Sequence, residues 1–473
     1  MKQMTLEEKV GQLWQLTGDA STGIQTNENI ENKVREGRVG SMLNVRGAAA
    51  VRNIQRIAVE ESRLGIPLVF GLDVIHGYEV TFPAPLAMAS SWDMSAIEKA
   101  ARIAAIETSC SGTSWTFCPM CDIARDPRWG RIGEGAGEDP YLGYQVAAAQ
   151  VRGFQNEFKD STCIAACFKH FALYGAPMAG RDYNTVEMSR VAALNDYLLP
   201  YKGAIDAGCL TGMTSFNEFE SVPATANKFL MREILRDEFG FKGMMVSDYN
   251  AVKEEIPHGY AKDMHEAAVK SIEAGLDMEM VSSAYDEYLV QAVRNGEVSE
   301  KLIDEACRRV LEFKEKLGLL DDPYRFCREE EEAALGTNPE YYQTAREIAR
   351  ECIVLLKNEN HLLPLATGKK IAVIGPMGNL PEEMRGIYTI KPKDNKYVSV
   401  YEGLCRRFGK ENVTRATGCH VSSDFHSLKI AAHSDSSALE LDRKYAEFAT
   451  DKAVELLAID SPTGFTAKAA EWV

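Results

Sequence analysis

From residue 39 to residue 280 the chain repeats one pattern, a short continuous apolar run followed by a longer stretch whose apolar residues recur at helical spacing. The runs are VGSMLN, LVFGLD, TFCPMCDI, CIAACFKHF, LTGMTSF, GMMVSD and AGLDMEM. Apolar runs of this length suit strands buried on both faces, and segments such as MSAIEKAARIAAIETSC and NKFLMREILRDEFG suit the helices that cover them. Their alternation predicts repeated β-α units on a parallel sheet, an α/β fold. Seven candidate strands in roughly 240 residues suit a (β/α)8 barrel with one strand weak or replaced. A doubly wound sheet is the alternative.

Residues 285 to 318 continue as helix, after which LGLLDDPYRFCREEEEAALGTNPE is polar, acidic and interrupted by Pro and Gly, as a linker would be. The expected organisation is a barrel over 1–322, a linker over 323–345 and a second α/β unit over 346–473. In that unit YYQTAREIARECIVLLKN reads as a helix, and KKIAVIGP reads as a strand ending in a Gly-Pro turn. From Asp424 onward the sequence holds no clear buried strand apart from AVELLAI.

Composition narrows the function classes. Hydrophobic residues are 45% and charged residues 26% of the chain, the balance of a folded globular protein. The 53 basic residues against 69 acidic ones give a formal charge of -16, which repels phosphate backbones and anionic lipid, so neither nucleic acid nor membrane is an expected partner. The N-terminus, MKQMTLEEKVGQLWQL, has no continuous apolar core of the secretory kind, and no later run reaches the roughly 18 apolar residues of a spanning helix. The eleven cysteines are scattered through apolar runs, which points to free buried thiols and a cytoplasmic location unless a leader was removed. Cys118 and Cys121 have CxxC spacing, but no second CxxC or nearby His pair completes four ligands, so neither a metal nor another cofactor is expected.

In a barrel the site forms where strands end, and polar residues concentrate there. LVFGLD ends in Asp73, CIAACFKHF carries Lys169 and His170, and GMMVSD ends in Asp248. A charge at the end of a buried strand costs several kcal/mol to desolvate unless it is paired, so three converging strands point to function rather than to an internal ion-pair ring. Lys169 and His170 are adjacent and would face opposite sides of a strand unless the strand is ending. DIARDPRWGRIGEGAGEDPYLG breaks every regular period with Gly and Pro, and it follows a buried strand, so an ordered loop over the pocket is expected.

With these segments the chain resembles the β-glucosidase branch of glycoside hydrolase family 3. The matching stretches are GIPLVFGLDVIHG, RDPRWGRIGEGAGEDPYLG, the KHF of CFKHFALYG, GRDYNTVEMS and GFKGMMVSDYNAV, in the family's order, with similarity from about residue 4 to about 420. The resemblance implies a barrel followed by an α/β sandwich. It implies Asp248 as the nucleophile of a retaining β-glycosidase, with Asp73, Arg131, Lys169 and His170 gripping the hydroxyls of a terminal sugar. Arg181 falls in a segment that the family brings into the pocket. Tyr249 stands where many members have Trp, Phe216 where many have Tyr, and Met213 is expected as a wall. The implied partner is a small glycoside, glucosyl or xylosyl, while the oligomeric state, a homo-oligomer included, is left open.

Retaining hydrolysis needs two carboxyl groups, one ionised as nucleophile and one protonated to help the leaving group depart. Asp248, near Lys169 and Arg131, is expected to be ionised. In similar family members the second group is a Glu in a Gly-Glu, Ser-rich stretch beyond residue 420, and no such stretch is found here, leaving Glu440, Glu447, Glu455 and Glu471 as coincidental substitutes. The Asp-Ser-His signature of the family's N-acetylglucosaminidases is also absent. Two readings compete: a Schiff-base aldolase using Lys169, and a non-catalytic sugar-binding remnant.

Overall fold

A computed structural model of the protein describes residues 1–18, 30–390, 392 and 396–419. Glu440, Glu447, Glu455, Glu471 and the AVELLAI segment lie outside these residues. The chain forms two compact units, one of Met1–Val354 with Ile387–Lys393, the other of the remaining residues.

The first unit contains, in chain order, β1 (Trp14–Thr17), β2 (Ser41–Leu43), β3 (Val69–Leu72), β4 (Trp115–Thr116), β5 (Cys167–Phe171), β6 (Thr211–Thr214), β7 (Glu218–Phe219), β8 (Val222–Pro223), β9 (Met244–Val246) and β10 (Glu279–Met280). One parallel sheet runs β10-β1-β2-β3-β4 and another β5-β6-β9. Parallel bridges Trp115↔Ala165 and Val246↔Met278 join the two sheets at both edges, closing an eight-stranded barrel among the described residues. The exception to the parallel order is β7–β8, a short antiparallel hairpin after β6.

β1 precedes the expected strands, which begin at residue 39. The helix Leu6–Gly11, held by a capping box between Thr5 and Glu8, runs almost directly into Trp14–Thr17. The polar Gln15 and Thr17 hide a strand that is buried along its whole length, and Gln15 donates to Ser41 Oγ at 2.8 Å inside the barrel. TFCPMCDI differs too, because regular pairing covers only Trp115–Thr116 before the chain continues through a single bridge, Met120↔Lys169.

Outer helices follow their capping chemistry. Asp93 caps Met94–Ser109, Asp139 caps Pro140–Gln155 with Pro at the first position, and Asp263 caps Met264–Ala274, which ends on Gly275 at φ 106°. The segment 323–345, read as a linker, contains the helix Glu329–Ala333 and the start of Pro339–Glu351. Ile348 of that second helix is 4% exposed and packs with Val80, Phe82 and Ile97, which joins it to the barrel unit.

In the second unit, β11 (Ile371–Ile374) pairs in parallel with β12 (Val413–Ala416) across the helix Val400–Phe408, whose first turn carries a Ser399–Glu402 capping box. This is the β-α-β order expected of an α/β unit.

Candidate active site

Because the barrel strands are parallel, their carboxyl ends share one rim. A cavity of about 320 Å³ opens there, inside the range of roughly 300–1,000 Å³ typical of small-molecule sites. It is lined by Asp73 after β3, Lys169 and His170 of β5, Met213 of β6, Phe216, Asp248 and Tyr249 after β9, and Arg131 of the Gly-rich loop. Both Lys169 and His170 reach it because the pairing of β5 with β6 shifts register between Phe168 and Phe171. A Cβ at Gly71 would stand 2.6 Å from the ring of Phe117, so glycine there lets this ring into the cavity wall.

Arg181 is not brought to the cavity. The turn Met178–Gly180 leaves it exposed, and two residues later Tyr183, at φ 65°, lines the cavity in its place. Asn44, Phe117, Met280 and Tyr388 also line it, and none was singled out from sequence. Asn44 ends the VGSMLN run just as Asp73 ends LVFGLD, so the strand-end rule could have found it. Tyr388 gave no such signal. It belongs to Ile387–Lys393, far along the chain but part of the barrel unit, where His76 Nε2 lies 2.6 Å from the Ile387 carbonyl oxygen and the Tyr388 ring lies 5.2 Å from the Arg131 guanidinium.

The charged groups form one network. Lys169 Nζ donates to Asp73 Oδ1 at 2.7 Å. Arg131 makes a forked pair with the buried Glu134, at 2.6 and 3.0 Å, and donates to His170 Nε2 at 2.9 Å. His170 Nδ1 lies 2.7 Å from Asp122 Oδ2, and Tyr201 donates to Asp122 Oδ1 at 2.8 Å. Burial, then the charges of Arg131 and Lys169, hold the His170 ring well below its ordinary pKa and therefore neutral. A neutral ring that accepts at Nε2 from Arg131 must carry its proton on Nδ1, where it donates to Asp122. Burial works against charge on Arg131, but Glu134 and then Asp248 keep it above its usual value. Lys169 is likewise raised against its burial, by Asp73 and Glu134.

Asp248 accepts from the Tyr249 backbone N–H at Oδ1, 2.7 Å away, while its buried Oδ2 has no hydrogen-bond partner. His170 Nε2 is 3.5 Å from this Oδ2 but is itself an acceptor, so it leaves Oδ2 free. Burial raises the Asp248 carboxyl to about 6, opposed by Arg131, Lys169 and the Tyr249 N–H. An ionised carboxylate oxygen is therefore available to a ligand at neutral pH, and an orphaned buried oxygen needs such an explanation. Asp73 and Asp248 are the carboxyl side chains lining the cavity among the described residues.

Cys118 and Cys121 lie buried beneath this rim, with burial pushing the Cys118 thiol up to about 12, and behave as core side chains. Among the described residues no group of three or more His, Cys, Asp or Glu side chains could hold a metal ion. No helix among them is long and apolar enough to cross a membrane.

The model of the glycosyl hydrolase family 3 N terminal domain matches residues 5–313. That of the C-terminal domain matches residues 353–463, past residue 420, where the sequence reading has the similarity fading. A periplasmic beta-glucosidase of Salmonella typhimurium is 38% identical over 429 residues, 90% of this chain and 56% of that protein. A putative beta-xylosidase of Formosa agariphila is 32% identical over 401 residues, 80% of this chain and 53% of its own length. The structure of a beta-glucosidase from Listeria innocua in complex with isofagomine superposes with a TM-score of 0.84 at 39% identity, covering 91% of this chain and 60% of that one. The chain thus spans a little over half the length of these relatives.

Proposed function

The chain belongs to glycosyl hydrolase family 3, and on that premise we propose that it is a retaining, exo-acting β-glycosidase whose nucleophile is Asp248. The observation that carries this reading is the unpartnered Asp248 Oδ2, a buried carboxylate oxygen in a cavity whose other charged side chains are paired. In the proposed reaction Oδ2 attacks the anomeric carbon, the aglycone leaves with the bonding electron pair, and water later releases the sugar from the glycosyl-aspartate. Lys169, Asp73 and Arg131 supply charged donors and acceptors for ring hydroxyls, and His170 fixes the Arg131 fork. The compact cavity suits a terminal sugar, β-D-glucosyl or β-D-xylosyl, in keeping with the names of both kinds of relative.

Protonation of the leaving group has no assigned residue here. The other cavity carboxylate among the described residues, Asp73, is ion-paired with Lys169.

The aldolase alternative requires a neutral lysine, whereas Lys169 is held charged by Asp73 and Glu134. A 2-deoxy-2-fluoro-β-glucoside with a dinitrophenyl leaving group distinguishes the readings. Mass spectrometry should find the sugar on the peptide containing Asp248. Labelling elsewhere, or borohydride trapping of a carbonyl substrate on Lys169, overturns the proposal.

A further inference from the structure

Three loops that follow strands β5, β6 and β9 meet at one side chain. Glu218 Oε1 accepts from Thr185 Oγ1 at 2.6 Å, and Glu218 Oε2 lies 3.2 Å from His258 Nδ1. The other nitrogen of that ring, Nε2, reaches back to the Phe216 carbonyl oxygen at 3.0 Å. Thr185 sits two residues after Tyr183, Glu218 two after Phe216, and His258 ten after Asp248, so each partner is tied to a residue that lines the cavity. Thr185, Glu218 and His258 themselves do not line it.

The geometry around Glu218 is fixed independently. Glu220 and Ser221, at φ 53° and 63°, turn the β7–β8 hairpin, Asn217 Nδ2 donates to the Ala172 carbonyl at 3.2 Å, and Val186 bridges Phe219. The rings of Phe216 and Tyr183 meet at 4.7 Å and 45°. Phe216 is 6% exposed and Tyr183 49%, so together they form a wall that runs from the interior of the cavity to its mouth. Tyr183 has left-handed backbone, which an L-aromatic residue does not choose for itself, so its neighbours must hold it.

We propose that Glu218 is a positioning residue, a clasp that binds the three loops together through Thr185 and His258 and thereby fixes the Phe216–Tyr183 wall against the bound sugar. This rests on the reading of the cavity as a glycoside site. The carboxylate is suited to the role because it accepts a hydrogen bond from one loop through Thr185 and meets another at the His258 ring, an ion pair when that ring is protonated, while belonging to the third. An aromatic wall contributes to sugar binding through its placement, and a wall left to move weakens the ground state and the transition state alike, which raises KM while leaving kcat nearly unchanged.

The test uses the full chain with 2,4-dinitrophenyl β-D-glucoside, alongside calorimetric binding of glucose. Glu218→Ala should raise KM about tenfold with kcat within about twofold, at a melting temperature within about 2 °C of the parent. Glu218→Gln, whose amide oxygen still accepts from Thr185, should limit the rise to about threefold or less. In a Phe216→Leu background, where the wall is already lost, Glu218→Ala should add less than about twofold. A KM within about twofold of the parent in folded Glu218→Ala, or a full tenfold effect persisting without Phe216, overturns the clasp. A parent that binds glucose without turnover overturns the nucleophile reading while the calorimetric constants still test Glu218; a parent that does neither overturns both.

Discussion

Lys169 Nζ and Asp73 Oδ1 meet at 2.7 Å inside the cavity, with the lysine side chain 4% exposed and the aspartate 39%. Removing Asp73 leaves the buried Lys169 ammonium without its ion-pair partner, and removing either side chain takes away a contact that the proposed function gives to the sugar. Lys169→Ala and Asp73→Ala should each lower kcat/KM by about 2–4 kcal/mol, roughly 30- to 1,000-fold. The double variant should lose less than the sum, because the pair fails as a unit. Steady-state kinetics of the three variants on one aryl glucoside check this, and strict additivity would count against a shared role.

Asp248→Asn should reduce turnover of a dinitrophenyl β-glucoside by several orders of magnitude, because the other cavity carboxylate among the described residues is already paired with Lys169. Turnover within about tenfold of the parent would mean that another group attacks the sugar.

The pH dependence follows from Asp248. Its carboxyl is raised to about 6 by burial and the proposed attack needs it ionised, so kcat/KM for an aryl glycoside should be flat above that value and fall about tenfold per unit below it. Arg131 opposes the rise. Arg131→Gln should therefore move the acid limb toward higher pH, in addition to any loss of rate. An unmoved limb in that variant would detach the limb from Asp248.

If the proton for the leaving group is not supplied, substrates should separate by leaving-group acidity. General acid help is typically worth about 10²–10⁴-fold for a sugar alkoxide and little for a nitrophenolate. Cellobiose should be cleaved poorly, and dinitrophenyl glucoside should show a burst of nitrophenolate followed by slow release of the glycosyl-aspartate, accelerated by azide. Efficient cellobiose hydrolysis with a bell-shaped pH profile would show that an acid/base group serves the site.

Lys314, fully buried on the helix Glu300–Lys316, donates to Gln12 Oε1 at 2.6 Å, and burial lowers its pKa to about 7. Its unfolded-state value is near 10.5, so the folded state disfavours the proton. The resulting destabilisation grows as pH falls from about 10.5 to about 7 and is constant below. Lys314→Met should consequently raise the melting temperature more at pH 7 than at pH 10. Equal shifts at both values would show that the ammonium is satisfied in the fold.

The barrel was legible because two-sided burial writes its strands as apolar runs, and the exceptions share a cause. β1 carries Gln15 and Thr17 on a buried surface, where Gln15 is satisfied by Ser41 on a neighbouring strand, a fact that no local window contains. The site showed the same division. Asp73, Lys169, His170 and Asp248 were found because a charge at a strand end is anomalous in any sequence. Arg181 and Tyr183 differ by two positions in one irregular loop, and a positive φ decides which of them faces the cavity. Asp122 and Glu134, which orient His170 and Arg131, lie in plain view in the Gly-rich loop, but an acidic residue in an acidic loop looks like surface until its partner is known.

The contact between His76 and Ile387 spans 311 positions, and Tyr388 beside it finishes the cavity wall. During synthesis Asp248 and the whole of the barrel leave the ribosome well before that wall exists, so a nascent chain can hold a closed barrel and still have an unfinished cavity. Contacts of such long sequence separation form late, since their loop-closure entropy must be met before they contribute. Ligand affinity should thus be acquired in a step after barrel formation. A stopped-flow refolding trace followed by both tryptophan fluorescence and binding of a glucose-mimicking inhibitor should resolve two phases, the second abolished by a protease nick between Val354 and Ile387.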